Sequence, residues 1–164
     1  MKTLPLLRLI AKKMVYRGWT VSVAESCTGG MLGQYLTRLP GSSRFFLGGI
    51  IAYQPESKVN LLSIDRVVIH QKGTVNEEVA RKMALGAKAA FHSDWAISTT
   101  GVAGPEPANH HPPGTIFIGL ASPLGNVDVL SLALPLSSRE KIRKTAVVEA
   151  LHFLLRHLEE AEEK

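Results

Sequence analysis

Apolar residues Leu6, Leu7, Ile10, Met14 and Val15 recur at helical spacing, with Arg8, Lys12, Lys13 and Arg17 mostly elsewhere around the turn. Gly18 ends that pattern, so a helix is expected between Leu4 and Trp19. Thr20 to Ala24 then reads as a strand, and Thr28 to Leu39 as a helix stopped by Pro40-Gly41. Phe45 to Tyr53 is a nearly continuous apolar run and predicts a buried strand, despite Gly48-Gly49. Pro55 suits the first position of a helix running through Leu62, and a short extended piece is expected around Val67 to His70. Asn76 caps a helix from Glu77 to Phe91, with Glu77 and Glu78 favourably placed in its first turn.

Trp95 to Thr99 predicts another strand, followed by a glycine- and proline-rich loop from Gly101 to Pro113. Thr115 to Ala121 and Val127 to Leu134 read as a hairpin turning at Pro123-Leu124-Gly125-Asn126. Ser138 caps a last helix, Arg139 to Glu159. Helices that alternate with strands and then give way to a hairpin predict an α/β fold. The expected architecture is a three-layer α/β/α sandwich around a mixed, mainly parallel sheet. At 164 residues, with no repeat or linker, the chain is expected to form one domain over 1–164.

Composition narrows the function classes. The chain is 45% hydrophobic and 20% charged, as in ordinary globular proteins, and no stretch approaches the ~20 apolar residues of a membrane span. Arg8, Lys12 and Lys13 interrupt the apolar N-terminal run before it could serve as a secretion signal. The single cysteine, Cys27, rules out an intrachain disulfide and suits a reducing compartment, so a cytoplasmic protein is expected. Net charge is +5, and the last six residues hold four acids and one base, so the body is more basic still. That favours an anionic partner. With aromatics at 6% and basic residues spread over several helices, a small anionic ligand fits better than nucleic acid. The six histidines show no zinc-ligand spacing, and no metal is expected.

Three stretches could carry chemistry. In "VAESCTGG", Val23 to Gly30, a strand turns sharply into a helix, and Gly29-Gly30 allow close approach to the backbone. Such a turn fits a phosphate cradle, an exposed nucleophile with oxyanion-stabilising amides, or merely a helix start capped by Ser26 or Thr28. It carries neither a Walker lysine nor GxGxxG spacing. "AYQPESK", Ala52 to Lys58, places a lysine one turn into a helix beside a strand end. Burial there would lower its pKa toward that of a general base, whereas a surface lysine would stay charged. "STTGVAGPEP", Ser98 to Pro107, with "PPGT", Pro112 to Thr115, follows another strand end, the place where open α/β sheets bind ligands.

Taken together, "AESCTGG", "GSSRFF", "AYQPESK", "TGVAGP", "PPGT" and "SREKIRKTAVVEAL" resemble the C-terminal domain family of the competence/damage-inducible protein CinA, which includes stand-alone nicotinamide mononucleotide deamidases (PncC). The motifs lie in order over nearly the whole chain. The resemblance implies hydrolysis of the carboxamide of nicotinamide mononucleotide to nicotinic acid mononucleotide and ammonia, with no cofactor. It implies Ser26 as nucleophile, Lys58 as its base and Tyr53 assisting. Substrate would be met by Thr28, Gly29, Gly30, Ser43, Thr100, Gly101, Ala103, Gly104 and Arg139, with Arg143 as the other candidate arginine. Relatives also imply a homodimer. Cys27 is a rival nucleophile. Neighbouring residues leaving a strand point opposite ways, so one of Ser26 and Cys27 faces the site, and no histidine falls in a matching motif to activate a thiol.

The chain departs from the family pattern in the loop Glu106-Pro107-Ala108-Asn109-His110-His111-Pro112-Pro113, where relatives continue with Asp-Gly-Gly and place a lysine before the later proline. Pro107 stiffens that loop and His111 stands in the lysine's place. Pro55 likewise stands where relatives often have a polar residue. A catalytically silent relative that binds a nucleotide or a protein is the alternative expectation, and a generic phosphate-binding module the third.

Overall fold

A computed structural model describes residues 3–162. The elements follow as α1 (Thr3–Arg17), β1 (Val21–Glu25), α2 (Met31–Leu36), a 3-10 turn (Ser42–Arg44), β2 (Phe46–Ile51), α3 (Pro55–Leu62), α4 (Arg66–Lys72), α5 (Glu77–Phe91), β3 (Trp95–Gly101), β4 (Thr115–Ala121), β5 (Val127–Ala133) and α6 (Arg139–Glu162). The strands form one sheet in the order β2-β1-β3-β4-β5. β1 pairs in parallel with β2 and β3, whereas β3–β4 and β4–β5 are antiparallel. β4 alone therefore opposes the other four strands, and the mixed sheet expected from the sequence is present.

Alternation along the strands divides the core into two layers. Val21, Val23, Ile97 and Ile116 face α1, α2 and α6 in the larger layer, which centres on Leu6, Ile10, Met14, Leu151 and Leu154. The opposite face is built from small residues, Ala24, Ala96 and Ala121, against α3 and α5. Because that face is small, α5 lies very close to the sheet. Ser98 Oγ donates to Ala80 O at 2.5 Å, and a Cβ on Gly119 would stand 2.5 Å from the same carbonyl.

Three local expectations are corrected. β2 is an edge strand whose residues alternate between half-buried and exposed, because only β1 covers its flank. The segment at Val67 to His70 is helical, within α4. Asp65 caps it by accepting from Val67 N at 2.8 Å, and Val68 and Ile69 turn onto the α5 layer, which outweighs their β-branched preference. α2 starts at Met31 rather than Thr28, because Gly29 and Gly30 take left-handed φ of 57° and 94°. The Asn76 cap, the Pro55 start and the hairpin stand where the sequence puts them.

Candidate active site

β1, β2 and β3 end on the same side of the sheet, and the segments leaving them converge there. Ser26 extends the β1–β3 ladder by one bond, its N–H donating to Thr99 O at 2.9 Å. Ala52, just past β2, donates its N–H to Glu25 O at 2.8 Å, which ties the α3 approach to β1. α3 then carries Lys58 back behind Ser26, where the lysine is 0% exposed.

Lys58 Nζ lies 2.9 Å from Ser26 Oγ, 2.7 Å from Ala52 O and 3.1 Å from Tyr53 O. No carboxylate bonds it among the described residues. An ammonium has three N–H donors, so all three are engaged here. Burial lowers the lysine from 10.5 to about 8. When neutral, its two N–H groups satisfy the two carbonyls, which can only accept. The lone pair is then left facing the Ser26 hydroxyl, the arrangement a general base needs.

Glu25 has a role that sequence reasoning missed. Its carboxylate, 1% exposed, accepts from Thr28 Oγ1 at 2.6 Å and from the N–H groups of Gly30, Leu32 and Gly33 at 3.0, 3.0 and 2.8 Å. An acid at this distance from a helix start satisfies the orphan amides and the positive dipole end together. The amides expected to greet a substrate are therefore mostly taken. Gly29 N–H and Met31 N–H donate to Ser26 O and Thr28 O, and only those of Cys27 and Thr28 meet no acceptor on another residue among the described residues. Glu25→Ala leaves four donors without their buried acceptor and is expected to cost roughly 3 kcal/mol or more. Glu25→Gln, which keeps one oxygen, should cost about half as much. Denaturant midpoints measure both, and an unchanged midpoint in Glu25→Ala would remove this account of the turn.

A cavity of about 190 Å³ opens over Ser26, bordered by Tyr53, Thr74, Thr100, the Gly101–Gly104 segment, Glu106, Asn109 and Arg139. Of the residues expected at the site, Ser26, Tyr53, Thr100, Gly101, Ala103, Gly104 and Arg139 border this cavity, and Lys58 lies directly behind Ser26. Thr100, fully buried, donates its Oγ1–H to Thr74 O at 2.6 Å.

Four expected residues lie elsewhere. Thr28 is buried, its hydroxyl held between Glu25 and Thr99 Oγ1 at 2.7 Å. Gly29 makes room for Arg143, whose Nη2 would be 3.1 Å from a Cβ there, and Gly30 for Ile51, at 2.9 Å. Both glycines serve the protein's own packing. Ser43 is exposed in the 3-10 turn before β2, and parallel pairing of Val21 with Phe46 puts that turn at the opposite end of the sheet.

The two arginines are separated by the structure. Arg139 borders the cavity, its Nη1 donating to Gly104 O at 2.7 Å and Nη2 to Tyr53 Oη at 2.9 Å. Arg143, one turn on, braces the turn after β1 through Cys27 O at 3.1 Å and Thr28 O at 2.8 Å. Cys27 borders the cavity together with Ser26, so the expectation that only one of the two reaches it is not met. It is 6% exposed, and burial pushes its thiol up to about 12, so it stays protonated at neutral pH. Glu106, Asn109 and Thr74 were missed as cavity residues. Asn109 carried a usable signal, because asparagine tolerates the left-handed φ of 50° that it adopts. Among the described residues no group of three or more His, Cys, Asp or Glu could hold a metal ion, and no helix is long and apolar enough to cross a membrane.

Residues 4–158 match the family model of the CinA C-terminal domain. A CinA-like protein of Thermosynechococcus vestitus is 45% identical over 154 residues, covering 92% of this chain but 36% of the relative. One from Synechocystis is 46% identical over 145 residues, 87% of this chain and 35% of the relative. The chain thus spans about a third of the length of these relatives. Among solved structures, the competence-damaged protein (CinA) superfamily protein of Klebsiella pneumoniae superposes with a TM-score of 0.93 at 27% identity, covering 98% of this chain and 99% of that one. The competence/damage inducible protein of Agrobacterium tumefaciens gives 0.91 at 30% identity, with 95% of each chain covered. With that match and a site assembled from the same motifs, the chain belongs to the CinA C-terminal domain family.

Proposed function

We propose that the chain is an amidohydrolase that converts nicotinamide mononucleotide to nicotinic acid mononucleotide and ammonia. One observation carries the reading: a buried lysine without an acidic partner, its amine fixed by two carbonyls, stands 2.9 Å from a serine hydroxyl at the floor of a cavity. A structural lysine would gain nothing from that placement, since burial of the ammonium is unfavourable.

In the reaction, neutral Lys58 takes the Ser26 proton as Oγ attacks the carboxamide carbon. The carbonyl π electrons move to oxygen, and the amide of Cys27, which borders the cavity beside Ser26, is the donor nearest in sequence to meet that oxyanion. Protonated Lys58 gives its proton to the departing nitrogen, ammonia leaves, and a nicotinoyl ester remains on Ser26. Water attacks the ester, Lys58 accepting its proton and returning one to Oγ as the acid is released. Arg139 retains N–H donors beyond the two it spends on Gly104 and Tyr53, and is the residue to receive the substrate phosphate. Arg143 spends two donors on the turn after β1, which favours Arg139 over it for that role.

Incubation of the purified chain with nicotinamide mononucleotide should release ammonia and nicotinic acid mononucleotide in equal amounts. A folded protein that releases neither overturns the reading in favour of a silent binding domain.

A further inference from the structure

Two charges border the cavity, Arg139 at the start of α6 and Glu106 on the loop between β3 and β4; the rest of the wall is hydroxyl, amide or apolar. Glu106 forms no ion pair among the described residues, not even with Arg139. Its carboxylate therefore remains available to a ligand.

The backbone around Glu106 is pinned on both sides. Gly104 O accepts from Arg139 at 2.7 Å. On the far side Ala108 and His111 exchange two backbone bonds, at 3.1 and 2.9 Å, across Asn109 and His110, which both take left-handed φ of 50° and 62°. Asn109 Oδ1 accepts from Thr74 N at 3.1 Å and fastens that turn to the entry of α5. Between these anchors the sequence is Pro105-Glu106-Pro107. The prolines fix their own φ, and Pro107 disfavours helical backbone at Glu106, which sits in a bend. The acid sits on a stiff arm at the cavity wall.

We propose that Glu106 is a specificity-determining residue that selects ligands by charge. It favours a ribonucleoside bearing a fixed positive charge and hydroxyl donors, with no more than one phosphate, over dinucleotides that bring a second phosphate. This rests on the reading of the cavity as a pyridine nucleotide site and adds which members of that class it admits. A carboxylate accepts from ribose hydroxyls and attracts a pyridinium ring, while it repels a further phosphate lying beyond Arg139.

The test measures binding by calorimetry in the full chain carrying Ser26→Ala, which prevents turnover, with and without Glu106→Gln or Glu106→Lys. The probes are nicotinamide riboside, nicotinamide mononucleotide and NAD+. Glu106→Gln should weaken the riboside and tighten NAD+, each by about threefold to fivefold, as suits a solvent-exposed charge. Glu106→Lys should move their ratio further the same way, and raised salt should shrink both effects. Equal changes for all three probes, no change, or no binding of any probe would overturn the proposal. Ammonia release by the wild-type chain is scored separately. A chain that hydrolyses nothing but shows the charge-dependent ratio fails the catalytic reading and keeps this one.

Discussion

Ser26→Ala is expected to abolish hydrolysis of the carboxamide, lowering kcat by roughly ten-thousandfold or more, as removal of a covalent nucleophile does. The fold should survive, because Ser26 anchors the turn through its backbone, whose N–H meets Thr99 O and whose O meets Gly29 N–H. Binding should change little, since Arg139 and the cavity wall remain. Cys27→Ala should keep most of the activity. Its thiol is almost wholly buried and held at about 12, so at pH 7 hardly any thiolate is present to compete. Paired measurements of ammonia release decide the matter. Activity that persists in Ser26→Ala and vanishes in Cys27→Ala would reverse the assignment.

Lys58→Met is expected to destroy activity and at the same time make the protein more stable. Loss of the base should cost about a thousandfold or more in kcat. The stability gain arises because the folded-state value of about 8 lies below 10.5, so between those two pH values the unfolded chain binds more protons. Stability from this group therefore rises as pH climbs from about 8 to 10.5, and below about 8 its full penalty is present. That penalty amounts to about 3 kcal/mol at pH 7. Methionine has similar length and no charge, so part of it should be recovered, less the hydrogen bonds lost at Ala52 O and Tyr53 O. A net gain of about 1–2 kcal/mol is expected.

Cys27 opposes this at high pH. Its value is raised from 9.0 to about 12, so over that range the folded chain holds the extra proton and stability falls. The difference between wild type and Lys58→Met cancels the cysteine contribution and isolates the lysine. That difference should be largest near pH 7 and shrink toward pH 10.5. Wild-type kcat/KM should rise about tenfold per pH unit up to about 8 and then level, as the neutral amine becomes the main form. A methionine variant less stable than wild type at pH 7, or a rate independent of pH below 8, would show that the ammonium is not held at a cost.

The variants above probe features of unequal visibility in the sequence. Asn76 before Glu77-Glu78, Pro55 at a helix start, the turn at Gly125-Asn126 and the 3.6-residue rhythm of α1 all act within a few residues, so the chain itself announces these elements. The stretches holding Ser26, Tyr53, Lys58 and Thr100 were legible as candidates for a different reason: each follows a strand end, where an α/β sheet gathers a site, whereas Arg139 entered only through the family resemblance. The α/β class followed from that pattern alone, while the individual site residues at the ends of β1 and β3 were implied by the resemblance.

What the sequence could not decide depends on partners distant along the chain. Arg139 and Arg143 lie four residues apart on one face of α6 and are equivalent by periodicity. Only the packing of α6 sets one at the cavity rim and the other under the turn after β1. Thr28, Gly29 and Gly30 read as ligand contacts because the local pattern cannot reveal that Glu25 fills the amides, or that Arg143 and Ile51 occupy the space beside the glycines. Ser43 is displaced by the parallel pairing of β1 and β2, a fact of register rather than of composition. Burial of Lys58, and with it the shift that suits the lysine to act as a base, arises from α3 packing on α5 and carrying the lysine to the end of β1. Desolvation is a property of the assembled core, and no stretch of sequence carries it by itself.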